Sequence, residues 1–160
     1  MAEYKPHRRA RGWRASALLA ASALGLSAPA FAANVDLTSA LSLPSAGQTM
    51  TPYEFTVTYG NSQPGVSSPA TNAGISIKLP ANLMNVSVVS SVATGAPGAV
   101  CPAAPGGFSG VPTGTTTAAT APITATIASL PQSAFCTVTL RATPVMGGSY
   151  STTSTITAGP

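Results

Sequence analysis

The two cysteines are the side chains of this sequence with the clearest chemistry. Cys101 and Cys136 lie far apart, so they do not form the C-x-x-C pattern of a redox pair. A metal site needs further thiolate or imidazole ligands, and the only histidine is His7, near the N-terminus. In an oxidising compartment, an even cysteine count indicates a structural disulfide. We therefore predict a Cys101–Cys136 bond, provided that the chain is exported.

The N-terminal segment indicates export. Five basic side chains between positions 5 and 14 precede a weakly apolar run that ends in an A-x-A motif. This is the layout of a signal peptide, which we assign to residues 1–32 with cleavage between Ala32 and Ala33. A membrane anchor is the competing interpretation, but the run is broken by serines, a glycine and a proline, and lacks about 20 strongly apolar residues. The Arg8-Arg9 pair leaves twin-arginine export as a minority alternative.

Charge is scarce once the leader is removed. Residues 33–160 carry two basic and two acidic side chains, so their net charge is zero. A nucleic-acid partner is excluded, because binding would require several Lys and Arg side chains to neutralise phosphates. No membrane insertion is expected after the leader has been cleaved. The basic character of the whole chain belongs to the leader.

The charged side chains of residues 33–160 do not indicate an active site. General acid–base catalysis usually uses His or paired carboxylates, whereas Asp36 and Glu54 lie on separate predicted strands. A serine nucleophile would need a base, and Lys78 is the only one available. The alternation around Lys78 favours a solvent-facing strand residue instead. We therefore expect no catalytic activity, no metal and no cofactor.

The pattern of apolar residues predicts an all-β domain. In the best example, Tyr53, Phe55, Val57 and Tyr59 alternate with polar residues, as in a half-buried strand. No segment has convincing helical periodicity. About seven short strands separated by turn residues favour an antiparallel, immunoglobulin-like β-sandwich. The predicted strands cover residues 35–43, 53–59, 75–79, 84–92, 123–127, 136–142 and 149–157.

One segment does not fit the strand pattern. Residues 93–121 consist almost entirely of Gly, Pro, Ala, Ser and Thr, with Phe108 as the sole aromatic. A long structureless loop is uncommon inside a compact domain, and such loops often bind a ligand. Because this one lacks the aromatic and Arg residues that usually anchor recognition, we favour a solvated crossover over a binding excursion.

Four segments, in this order, resemble the Ig-like conserved-repeat domains of bacterial secreted and cell-surface proteins. They are "SAGQTMTPYEFTVTYGN", "ISIKLPANL", "SLPQSAFCTVTLRATP" and "GGSYSTTSTITAG", and the resemblance covers most of residues 35–159. Two residues depart from the family pattern. Lys78 occupies a position that is often acidic in the family, and Gln132 occupies a position that is commonly a turn glycine. The resemblance implies a non-catalytic structural or adhesive module without a transferable active site.

These observations lead to one functional expectation and two alternatives. We expect an exported structural or adhesive module, acting extracellularly, at the cell surface or in the periplasm. It would be one repeat of a larger protein, with neighbouring repeats or other cell-surface proteins as partners. A pilus-type subunit that polymerises by strand addition is the first alternative. A carbohydrate-binding module is less favoured, because the only tryptophan, Trp13, lies in the leader. The alternating aromatic residues Tyr53, Phe55 and Tyr59 are expected to be buried in the core, so they would not form a platform for a sugar.

Overall fold

The structure is a computed structural model that describes residues 37–42, 49–62 and 68–159. Within these residues every regular element is a β-strand and no helix occurs, so the predicted all-β class is confirmed. The predicted signal peptide and its Ala32/Ala33 cleavage site lie outside the described residues. The strands are β1 Leu37–Ser42, β2 Tyr53–Asn61, β3 Ala70–Lys78, β4 Leu83–Gly95, β5 Phe108–Ser109, β6 Ile123–Leu130, β7 Ala134–Pro144 and β8 Thr153–Thr157.

The strands form two four-stranded antiparallel sheets. The first sheet has the order β1-β2-β7-β4, and the second has the order β5-β6-β3-β8. Each of the seven predicted strands overlaps an observed one, and the eighth described strand, β5, has only two residues. The β-sandwich prediction is thus confirmed at the level of two packed antiparallel sheets.

Alternating apolar side chains from both sheets form the core. On β2, Phe55, Val57 and Tyr59 are buried, while the intervening threonines are more exposed. On β3 the same alternation buries Ile75 and Ile77. Because successive strand residues point to opposite faces, the period-two pattern of the sequence is sufficient to assign these side chains to the interior.

Strand β1 begins at the same end of the sandwich at which β8 ends. Leu37 pairs with Asn61 at the end of β2, and the Asn61 amide donates to the carbonyl of Leu130 at 3.0 Å. Leu130 in turn pairs with Ala70 at the start of β3. Strand β8 runs antiparallel to β3, so Thr157 lies toward this same end. We call it the terminal pole, and the opposite end, where Tyr53, Lys78, Leu83 and Thr153 lie, the distal pole.

The predicted structureless loop at 93–121 requires correction. Residues 93–95 continue β4 to the terminal pole, and Phe108–Ser109 forms β5. Because β6 begins at the distal pole, the chain must return along the whole length of the sandwich. Residues 96–122, here called the crossover, make this return beside β6 and pair with it on the way. The composition that suggested a loop instead belongs to a segment that follows a sheet edge.

Candidate interaction surface

The predicted disulfide is present and joins the crossover to the first sheet. Cys101 lies on the crossover and Cys136 lies on β7, fully buried, with a Cα–Cα distance of 5.8 Å. The residue before Cys101 is anchored to the second sheet, because Val100 donates to the Ser129 carbonyl at 2.8 Å and accepts from Ala128 N–H at 3.1 Å. The disulfide and the backbone hydrogen bonds of Val100 together therefore hold the crossover against both sheets.

A second anchor lies near the end of the crossover, at Thr116. This residue is 1% exposed, and its hydroxyl donates to the Pro80 carbonyl at 2.6 Å and accepts from Leu83 N–H at 2.9 Å. Its backbone exchanges two further hydrogen bonds with Asn82 and Leu83. Sequence reasoning missed this role, because Thr116 is the middle one of three consecutive threonines and nothing local distinguishes it from its neighbours.

The charged side chains considered for catalysis are not brought together. Glu54 and Arg141 are register partners on β2 and β7 and form an exposed ion pair, with Arg141 Nε donating to Glu54 Oε1 at 3.1 Å. Lys78 is exposed at the distal end of β3, in the other sheet. Asp36 lies outside the described residues. Among the residues that are described, no three His, Cys, Asp or Glu side chains cluster as metal ligands would.

The alternating aromatic residues of β2 face the interior, as predicted. Phe55 and Tyr59 are buried and Tyr53 is half-buried, with the Tyr53 and Phe55 ring centroids 5.8 Å apart. Burial raises the pKa of the Tyr59 hydroxyl, an effect that the side chain of Ser154 on β8 opposes. These rings therefore provide no exposed stacking platform for a sugar.

The outer face of the second sheet carries an uncharged array of hydroxyl groups. Ser109, Thr124, Ser76 and Thr155 are consecutive cross-strand partners, so they form one row across all four strands. A parallel row contains Thr126 and Thr157, with Gly74 between them. Neighbouring strands lie about 4.8 Å apart, which sets the spacing within each row. We call these six side chains the hydroxyl face.

Two shallow clefts flank the hydroxyl face. One cleft, of about 320 Å³, lies at the distal pole and is lined by Lys78 and Thr153 of the second sheet, together with Pro80 and Ser151. The other, of about 330 Å³, lies at the sheet edge, where Gly107 and Pro102 of the crossover meet Ser109, Thr124, Ala125 and Thr126. The hydroxyl face and both clefts together form a candidate surface that combines concave shape with available polar groups.

Two comparisons with the opposite sheet show what is particular to this surface. The outer face of the first sheet is also rich in threonine, but two of its hydroxyls, those of Thr58 and Thr137, pair with each other at 3.1 Å. It also carries the ion pair between Glu54 and Arg141, so its charges are already matched.

Among the described residues there is no helical segment with the length and apolar character of a membrane span. Comparisons of the chain with protein-family models, curated proteins and solved structures yield no match.

Proposed function

We propose that this chain is an exported, non-catalytic structural or adhesive module with an immunoglobulin-like β-sandwich, forming one repeat of a larger cell-surface or secreted protein. The observation that carries the proposal is the shared position of the start of β1 and the end of β8 at the terminal pole. The distal pole lies at the opposite end of the sandwich, where it can meet a partner.

The covalent and electrostatic features support an exterior role. The Cys101–Cys136 bond fastens the crossover in a way that an oxidising compartment would preserve. Outer surfaces with few charges give little long-range attraction, so a partner must be held by shape and short-range hydrogen bonds. Both features suit a passive module that spaces or presents a surface.

A self-contained fold favours this proposal over the pilus-type alternative. A subunit that polymerises by strand addition lacks one strand of its own sheet, which a neighbouring subunit supplies. In the described residues one chain supplies eight strands, and the crossover pairs with the outer edge of β6 at both Phe108–Ser109 and Val100. We therefore propose a folded monomer without donor-strand exchange.

The test is to follow export and processing in the source cells. N-terminal sequencing of the protein found outside the cytoplasm should give Ala33 as the first residue, with residues 1–32 removed. An Ala32→Arg variant should accumulate unprocessed, because the small residue that the A-x-A site requires is lost. Size-exclusion chromatography of the exported protein should give a monomer. Retention of the wild-type chain in the cytoplasm with its leader attached would refute the proposal.

A further inference from the structure

We infer that the hydroxyl face binds an acidic polysaccharide, with sugar hydroxyl groups over the two rows of side chains and a carboxylate beside Lys78. The inference rests on the proposed function, because it names the partner that the exported module would meet. It is carried by the register of the second sheet and the two flanking clefts, together with the position of Lys78 at the edge of this face.

The hydroxyl groups of this face are available to a ligand. Among the described residues only Thr157 of the six uses its side chain internally, with its hydroxyl donating to the Gly74 carbonyl at 3.3 Å. Each of the other hydroxyls can donate one hydrogen bond and accept two. Sugar hydroxyls have the same dual capacity, so a polyol chain can exchange hydrogen bonds with a row of such groups without leaving a buried unpaired donor or acceptor.

The shape of the face suits an extended chain. Gly74 has no side chain, so only Thr126 and Thr157 project from the second row, with the Thr157 hydroxyl directed toward Gly74. The two clefts lie at different margins of the face, and Thr124, which lines the edge cleft, stands in the same row as Ser76 and Thr155. A linear polymer can therefore cross the strands between the clefts, whereas a small isolated ligand would use only one of them.

The charge of the surface selects an acidic polymer rather than a neutral one. Lys78 is exposed at the distal cleft beside Thr153, and no ion pair compensates it among the described residues. The other cation of the described residues, Arg141, is paired with Glu54 on the opposite sheet. A carboxylate at the distal cleft would receive a charge-assisted hydrogen bond from Lys78 and a neutral one from the hydroxyl of Ser151 or Thr153.

Binding through such a face is weak for each module. No aromatic ring of the described residues lies on the hydroxyl face, so stacking by those residues contributes nothing there. Each hydrogen bond to the ligand also replaces one to water. A single module should bind with Kd in about the millimolar range. Repeated modules on one protein, or several copies on one cell, would raise the apparent affinity through effective concentration.

The experiment measures retention of the exported protein on immobilised polygalacturonate, alginate and hyaluronate, each compared with its carboxyl-reduced form. Wild type should be retained by at least one acidic polymer, less by the reduced polymer, and less at high salt. Lys78→Gln should lower retention roughly fivefold and remove most of the salt dependence. The Thr124→Val, Thr155→Val double variant should lower retention roughly fivefold to tenfold, because it deletes two hydroxyls with little change of shape.

Matched controls keep the result specific to this face. The Thr56→Val, Thr139→Val double variant alters the outer face of the first sheet in the same way and should retain wild-type binding. Unchanged thermal midpoints would exclude misfolding in each variant. Any one of three results would overturn the inference. These are equal retention of the two double variants, retention of wild type on none of the three acidic polymers, and association of wild type only with further copies of this chain. Correct export and processing together with any of these results would leave the proposed function standing.

Discussion

Cys101 and Cys136 link the crossover to the centre of the first sheet, across a sequence separation of 35 residues and with a Cα–Cα distance of 5.8 Å. The bond closes a loop that contains residues 101–122 of the crossover, including β5, and all of β6. On the other side, Val100 is hydrogen-bonded to β6. The disulfide therefore reinforces the side of the sandwich where the two sheets are bridged by a segment with little regular structure.

Removal of this disulfide should destabilise the domain substantially. For a loop of this length, the chain-entropy estimate gives roughly 4 kcal/mol at 25 °C. Urea unfolding of the Cys101→Ala, Cys136→Ala variant should show a loss of about this size, and wild type in reductant should behave similarly. The control is the alanine variant with and without reductant, for which the two unfolding curves should coincide. A double variant as stable as oxidised wild type would contradict the prediction.

The buried hydroxyl of Thr116 should contribute measurably to stability. Thr116→Val preserves the shape but leaves the Pro80 carbonyl and Leu83 N–H without their partner. Each unsatisfied buried group costs about 1 to 3 kcal/mol, so we expect a loss of roughly 2 to 4 kcal/mol in the free energy of unfolding. Thr115→Val, at the exposed neighbouring position, should change the free energy by less than about 0.5 kcal/mol. Equal effects of the two substitutions would show that the Thr116 contacts are not needed.

Gly95, the last residue of β4, should not tolerate a side chain. Its φ of +83° disfavours other residues, and an added Cβ would lie 2.2 Å from the Ser133 carbonyl oxygen, which also accepts from Ala96 N–H. We expect Gly95→Ala to lower the thermal midpoint by an amount corresponding to about 2 kcal/mol or more. Gly114→Ala is the matched control, since a Cβ there meets nothing within 4 Å. A midpoint unchanged in both variants would contradict this geometry.

Stability should decline in alkali because of Tyr59. Burial raises the pKa of this hydroxyl above its ordinary value of 10.0, with Ser154 as a smaller opposing influence. A group whose pKa is higher in the folded state contributes stability that is complete below the unfolded value and is lost as the pH rises toward the folded value. The free energy of unfolding should therefore fall as the pH rises above 10, by no more than about 1.4 kcal/mol per pH unit.

The measurement is the thermal midpoint of wild type and Tyr59→Phe between about pH 8 and pH 11. The variant should show a much flatter profile above pH 10, because it has no buried phenol to ionise. Tyr53→Phe is a useful comparison, since the Tyr53 pKa is also raised, first by burial and then by Tyr150, but the residue is only half-buried. Parallel profiles for wild type and Tyr59→Phe would mean that another group governs alkaline unfolding.

The strands and their buried faces were predictable because they depend on local pattern. The alternation through Phe55 and Val57 on β2, and through Ile75 and Ile77 on β3, identifies the interior side chains without knowledge of strand order. The start of β3 was predicted five residues late, at residue 75 rather than Ala70. Its first residues include Asn72 and Gly74, which have weak strand propensity. Gly74 is held in the strand by pairing with Thr126 of β6, whereas Asn72, with a φ of +51°, has no register partner on β6.

The candidate surface was not predictable, because it depends on partners that are distant in the sequence. Ser76, Thr124 and Thr155 look like ordinary solvent-facing strand residues, and only the register of three antiparallel strands aligns them in a row. The same applies to Ser109, which belongs to a segment predicted to be structureless. A shift of one residue in any of these pairings would turn its hydroxyl toward the core.

The sequence by itself determined the all-β class, the inward side of the main strands and the identity of the disulfide, since period two sets the face of each residue and only two cysteines exist. Tertiary structure alone decided that the crossover follows β6, that Thr116 is buried, and that β1 begins where β8 ends. The reason is physical. Side-chain alternation is a property of each strand, whereas sheet order, register and strand direction arise from packing between segments that are remote in the chain.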